Sequence, residues 1–423
     1  DFPELLVKLV TTHHGPGVKL PRHLGIVVGP HLVGRQRFVL TRVSSALNAL
    51  HYIVVIRIPA LKAPNSHPES KPASDMQPHL SVDRFINVND ETATDNDVEA
   101  AGRNLALELV RVTEAAALAA SQWMGRGDKL GADGAAVDAM RQMLSTIRMD
   151  GTVIIGEGEK DEAPMLFNGE RIGDGSSPRV DIAVDPVDGT TLTALGQANA
   201  IAVIAASDHG TMFDPGPCVY MDKIAVGPSC KGVIDINASV AHNLAAVAKA
   251  KGESIENVTA VILERPRHEQ LIAEVRSAGA RIRLIRDGDV AGAISTAWPD
   301  SGADILMGIG GTPEGVIAAA ALKCMGGEMQ SRLHPRSNAE LQATIDFGYD
   351  INDILTQDDL VKGNNCFFAS TAITDGPLLP GVTYNRAGAQ TNSLSMRSKS
   401  GTVRQIRTYH RRDKLGKIAG IDY

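Results

Sequence analysis

A chain of 423 residues with a net charge of −7 at pH 7 and only 4% aromatic residues makes a poor nucleic-acid binder, which needs basic surface and stacking rings. Its apolar share of 43%, mostly aliphatic residues and Ala, suits an α/β enzyme, and its longest apolar runs, such as 52–56, are too short to span a membrane. Cys218, Cys230, Cys324 and Cys366 are widely spaced without a C-x-x-C pair, which excludes a Cys-type zinc site and a disulfide framework and fits a reduced, cytoplasmic protein.

Residues 1–74 carry nine Lys/Arg against three Asp/Glu, six of the twelve His, and no sustained amphipathic period. The first methionine is Met76, and no apolar segment followed by a small-residue cleavage site marks a leader. The expectation is that residues 1–95 are a disordered or mis-assigned N-terminal extension and that the functional protein begins near Met76. Leu105, Leu109, Val112, Ala116 and Ala119 recur at helical spacing and predict a helix over 104–124, ended by Gly125-Arg126-Gly127. A second helix is expected over 135–147 and a strand over 152–155.

The β-branched run 179–184 predicts a buried strand that Pro186 stops, so that Asp185 and Asp188 project together from its carboxyl end. Gly189 and Thr190 then open a helical stretch, whose first N–H groups suit an anion. A further strand falls at 198–206. Segment 258–325 alternates strands (258–263, 281–285, 305–307) with helices (268–278, 290–296, 313–325), the pattern of a three-layer α/β unit with a crevice at its strand ends. Strand-like runs over 365–409 are expected to pair back onto the central sheet. No solenoid repeat is present. Residues 96–257 with 340–423 read as a metal- and phosphate-binding subdomain, and 258–339 as an α/β sugar-phosphate subdomain.

Hard divalent cations take carboxylate oxygens, and Mg²⁺ keeps water and substrate phosphate beside a few carboxylates. Asp185 and Asp188 offer such oxygens. Glu157 follows a strand between Gly156 and Gly158. Asp133 stands at the entry to the second helix, where it reads equally as an N-cap. Glu314, in Gly308-Ile309-Gly310-Gly311-Thr312-Pro313-Glu314, stands at a helix start, where the helix dipole alone also favours it. Four carboxylate positions at glycine-flanked strand or helix mouths form a pattern that one such position does not. Asp287-Gly288-Asp289 reads also as a plain strand–helix turn and Tyr220 as a half-buried core aromatic. His268 reads as a satisfied structural histidine, and Lys129 and Arg126 either orient phosphate or pair with the acids.

At this point the sequence resembles the class II, GlpX-type, fructose-1,6-bisphosphatases from about Arg103 to Tyr409. The motifs that carry the likeness are Trp123-Met124-Gly125-Arg126-Gly127-Asp128-Lys129, Ile155-Gly156-Glu157-Gly158-Glu159, Asp185-Pro186-Val187-Asp188-Gly189-Thr190, Tyr220-Met221-Asp222-Lys223, Arg265-Pro266-Arg267-His268, Asp287-Gly288-Asp289, Gly308 to Gly315 and Met396 to Thr402. The Asp-Pro-x-Asp-Gly-Thr element is shared with the wider lithium-sensitive phosphatases. Inositol monophosphatases also use a Trp-Asp pair, whereas Trp123 and Trp298 here precede Met124 and Pro299.

The resemblance implies a layered α-β-α-β-α sugar-phosphatase fold of the lithium-sensitive superfamily. It implies Mn²⁺ or Mg²⁺ held by Asp133, Glu157, Asp185, Asp188 and Glu314; some relatives carry Glu where this chain has the shorter Asp188, which loosens that assignment. Asp188, Gly189 and Thr190 would hold the 1-phosphate. Tyr220, Arg265, Pro266, Arg267, Asp287, Gly288, Asp289 and Gly311 would hold the sugar and its second phosphate. Thr190 would orient and deprotonate the attacking water, with Asp161 as proton acceptor. The implied reaction is hydrolysis of fructose 1,6-bisphosphate in gluconeogenesis by a cytoplasmic homo-oligomer, dimer or tetramer, with no nucleic acid or membrane partner. Sedoheptulose 1,7-bisphosphatase or dual activity, and an inositol-type phosphatase, are the alternatives. A catalytically silent sugar-phosphate sensor and a structural metal-binding protein stand further off, because every acidic position is intact and the glycine loops are of phosphate type.

Overall fold

The computed structural model describes residues 27–33, 36–44, 51–58, 105–157 and 166–416, and the chain divides into two compact units, Asp1–Thr94 and Asp95–Tyr423. In the first unit, where an extension was expected, β1 (Val27–Val33), β2 (Gln36–Ser44) and β3 (His51–Ile58) form an antiparallel meander. Its strands are rich in Val and Ile, the residues that favour a pleated surface.

The second unit opens with α1 (Leu105–Ser121) and α2 (Lys129–Leu144). Next come β4 (Asp150–Ile155), β5 (Arg171–Ile172), β6 (Arg179–Asp188), the short α3 (Thr190–Leu195) and β7 (Ile201–Asp208). Together with β14 (Cys366–Ala372), β15 (Thr383–Asn385), β16 (Gly388–Arg397) and β17 (Thr402–Arg411), the strands make an eight-stranded sheet. The tail therefore does pair back, β14 running antiparallel to β7.

A six-stranded sheet joins β8 (Tyr220–Val226), β9 (Thr259–Leu263), β10 (Arg281–Ile285), β11 (Ile305–Gly311), β12 (Glu328–Leu333) and β13 (Leu355–Thr356), in the order β10-β9-β11-β8-β12-β13. Its helices are α4 (Val240–Lys251), α5 (Glu269–Ser277), α6 (Asp289–Ala297) and α7 (Thr312–Met325). Further along, α8 (Asn338–Asp346) follows β12 and the one-turn α9 (Gln357–Leu360) follows β13.

Strand periodicity places the helices, because alternate side chains enter different cores. Ala202, Ile204 and Ala206 pack with α1 and α2, while Ile201, Val203 and Ala205 pack with α6 and α7. On the other sheet, Val261 and Leu306 join that same middle core, and Ala260, Ile262, Ile305 and Met307 face α4 and α5. This second unit is mixed α/β, layered helix, sheet, helix, sheet, helix. Phe368, fully buried in the middle core, contributes about 2–3 kcal/mol by its burial alone.

Three boundaries differ most from expectation. Pro186 does not stop its strand: β6 runs on to Asp188, with a register irregularity against β7 between Asp185 and Asp188. Proline lacks an N–H for the ladder and is tolerated at a bulge. In a regular strand residues three apart face opposite ways; the irregularity resets the pleat so that both aspartates serve one crevice. The second helix begins at Lys129 rather than 135, because Asp128 caps it by accepting from the Gly131 N–H at 2.8 Å. Strand β11 extends through the glycines to Gly311. The four cysteines are free and buried, and among the described residues no helix is long and apolar enough to cross a membrane.

Candidate functional site

The helices of the middle layer start between the two sheets, and the acidic residues gather at those starts. Asp289 opens α6 and Glu314 lies in the first turn of α7. Asp185 and Asp188 end β6, and Glu157 follows β4, the parallel neighbour of β6. Asp133 lies one turn into α2; since Asp128 takes the capping bond, the reading of Asp133 as N-cap fails.

The charges of these groups act on one another. Asp188 is 3% exposed; burial, then Asp289, Glu314 and Asp287, hold its carboxyl well above the usual range, although it accepts the Ala291 N–H at 3.2 Å. Asp185, somewhat more open, is pushed up by burial and then by Asp188, Glu157 and Glu314; it accepts the Val187 N–H at 3.0 Å. Glu314 is raised by burial and then by Asp289, and Asp133 by burial.

The residues fit a divalent cation by their chemistry. Glu314 Oε2 is buried without any hydrogen-bond donor, a cost that a cation would remove. A Cβ at Gly311 would come within 1.7 Å of that oxygen, so the glycine is what makes room for it. Among the described residues no three His, Cys or acidic side chains converge as a ready-made single-ion cage.

Glu157 yields a pH test. Burial, then Asp133 and Glu314, push its carboxyl from 4.5 up to about 7. Across that interval the folded metal-free protein keeps a proton that the unfolded chain has released. The stabilisation is full below pH 4.5 and is lost as pH rises through 7, on the order of 3 kcal/mol. The melting temperature of chelator-treated protein should therefore fall between pH 5 and 7.5, less so in Glu157→Gln, and Mn²⁺ or Mg²⁺ should restore it. A melting temperature that climbs over this window would refute the assignment.

Basic and polar groups adjoin the acids. Arg265 Nη2 lies 3.7 Å from Asp287 Oδ1, and Pro266 begins the turn Pro266–His268 that carries Arg267. Arg267 directs Nε and Nη2, the fork expected for phosphate, at the Ile309 carbonyl, at 3.1 and 2.9 Å. His268 is structural, as expected: buried, its Nδ1 donates to Leu263 O at 2.7 Å and its Nε2 accepts the Ile309 N–H at 2.8 Å. Burial lowers its pKa, which keeps this neutral tautomer.

Tyr220 is half-buried but is no core aromatic. The guanidinium carbons of Arg267 and Arg336 lie over its ring, 5.0 and 5.2 Å from the centroid. Gly288, at φ 80, makes the turn into α6 between Asp287 and Asp289. Gly189, at φ 103, does the same before Thr190, which stands partly open at the start of α3. Lys129 Nζ donates to Thr191 Oγ1 at 2.9 Å. Asp161 lies outside the described residues.

Sequence reasoning missed Arg336 and gave Lys223 no role. Lys223 is 3% exposed on β8, between Met221 and Ala225 on the same face. A charge flanked on its own face by apolar side chains was the available signal, since such a residue points inward and needs a partner.

Comparison with known proteins gives a consistent result. The family described as bacterial fructose-1,6-bisphosphatase, glpX-encoded, matches residues 103–410. The chain is 47% identical over 332 residues to the Haemophilus influenzae protein called fructose-1,6-bisphosphatase class 2, covering 75% of this chain and 99% of that relative. It is 46% identical over 325 residues to fructose-1,6-bisphosphatase 1 class 2 of Escherichia coli K12, covering 74% of this chain and 96% of that protein.

Proposed function

The chain belongs to the bacterial, glpX-encoded fructose-1,6-bisphosphatase family, and from that premise we propose that it hydrolyses fructose 1,6-bisphosphate to fructose 6-phosphate and phosphate, the step used in gluconeogenesis. The observation that carries the reading is a set of mutually repelling carboxylates, Asp287 and Asp289 among them, with an unpartnered Glu314 oxygen and with Arg265 3.7 Å from Asp287.

Asp133, Glu157, Asp185, Asp188 and Glu314 would hold the divalent ions, Mn²⁺ or Mg²⁺. Bound there, such ions neutralise phosphate charge, acidify a water and stabilise the leaving alkoxide. The chain's own groups do the rest. The backbone of Asp188, Gly189 and Thr190 grips the 1-phosphate. Tyr220, Arg265, Pro266, Arg267, Asp287, Gly288, Asp289 and Gly311 hold the sugar and its second phosphate. The Thr190 hydroxyl orients the attacking water and takes its proton, and Asp161 is assigned from sequence as the acceptor beyond it.

The same reading gives a lithium-sensitive-superfamily fold. It makes the protein a cytoplasmic homo-oligomer, dimer or tetramer. Chelator-stripped protein should release phosphate from fructose 1,6-bisphosphate only after Mn²⁺ or Mg²⁺ is returned, with sedoheptulose 1,7-bisphosphate and inositol monophosphate measured beside it. Folded protein that releases nothing with either ion would overturn the reading.

A further inference from the structure

Inside this acidic crevice lies a buried ammonium to which the reaction above gives no task. Lys223 projects from β8 with Met221 and Ala225, both of which belong to the core around α6 and α7. An ammonium at 3% exposure is costly unless it is paired. Its Nζ lies 2.6 Å from Asp289 Oδ2 and donates to the Gly311 carbonyl at 3.1 Å. Asp289 is 7% exposed, so the pair is closed to solvent from both sides.

The two partners come from different elements, the first residue of α6 and the last of β11, and both belong to the set assigned to the sugar. The backbone is shaped around the pair. At Gly310 a Cβ would fall 2.1 Å from Asp289 Oδ2 and 2.8 Å from Lys223 Nζ, so any side chain there would displace one of them. The ammonium also reaches the metal side: the Gly311 whose carbonyl it holds is packed against Glu314, whose Oε2 a Cβ there would meet at 1.7 Å.

Resting on the sugar-bisphosphate reading, we propose that Lys223 is a positioning residue: it sets the Asp289 carboxylate and the Gly311 carbonyl for the sugar, and its charge moderates the hold of the crevice on divalent ions. The two effects have opposite signs. Without the ammonium, the carboxylates attract a cation more strongly, while Asp289 and Gly311 lose the strut that aims them. A loss that merely loosened the fold would weaken both kinds of binding.

The test compares full-length wild type with Lys223→Met, which keeps the length of the side chain and removes its charge. The KM and kcat for fructose 1,6-bisphosphate are read at saturating Mn²⁺. Mn²⁺ affinity of the substrate-free protein is read by calorimetry. We expect the KM to rise at least tenfold with kcat within threefold, and the Mn²⁺ Kd to fall at least threefold. An unchanged KM, or substrate and Mn²⁺ affinities that weaken together, would overturn the inference.

Should Lys223→Met not fold, Lys223→Met/Asp289→Asn, which leaves no unpaired charge, carries the same test. Its KM stays at least tenfold raised while its Mn²⁺ affinity returns close to that of wild type, and a wild-type KM in it counts against the inference. A wild type that releases no phosphate sinks the functional reading beneath. An active wild type with an unaltered variant sinks this inference alone.

Discussion

Asp185→Asn should lower kcat by about 10³-fold or more, roughly 4 kcal/mol of lost transition-state stabilisation. The substitution keeps the shape of the side chain and its acceptor oxygen for the Val187 N–H, so β6 and its irregularity persist. What it removes is a negative charge at the point where Asp188, Glu157 and Glu314 already repel one another. Catalysis needs that charge to fix cations against the substrate phosphate. The fold does not need it.

The same variant should thus be at least as stable as wild type in chelator at pH 8, because one buried like charge has gone. Turnover and thermal melting measured side by side check both statements. A kcat within tenfold of wild type would remove Asp185 from the metal set, and a large drop in melting temperature would recast it as a structural residue.

Thr190→Ala is expected to lower kcat by roughly 10²–10³-fold, the usual size of a positioned proton-transfer group, while calorimetric Mn²⁺ affinity stays within a few-fold. Thr190 opens α3 directly after the left-handed Gly189. The turn is held elsewhere, by Thr193 Oγ1 donating to Gly189 O at 3.2 Å. Alanine is a good helix former, so little local structure should change. Thr190→Ser, which keeps the hydroxyl, should recover most of the rate. If Thr190→Ala turns over normally, the water is oriented by another group.

Much of the site was legible because its parts are local devices. A carboxylate beside glycine at a strand end, as at Glu157 and Asp188, or at a helix start, as at Glu314 and Asp289, announces itself by turn chemistry and by the change of apolar period. The elements around them were legible for the same reason: β10 is observed at Arg281–Ile285, as expected from its apolar run, and α7 starts one residue before the expected 313. Misjudged boundaries arose where local rules compete. Proline at 186 reads as a stop, yet β6 pairs with the neighbouring strand β7 on both sides of it, across the irregularity between Asp185 and Asp188. Asp128 and Asp133 are both plausible caps, and only the hydrogen bond from Gly131 chose between them.

By itself, then, the amino-acid sequence determined the family and the mixed α/β alternation and proposed the acidic positions, since all of these rest on composition, period and short motifs. Tertiary structure decided the electrostatics. It brought Lys223 to the Gly311 carbonyl across 88 positions and the Ala291 N–H to Asp188 across 103. It brought two guanidiniums over the Tyr220 ring and left one Glu314 oxygen without a donor. Coulomb energy and desolvation depend on distance and burial, and neither quantity exists until the two sheets close over α6 and α7.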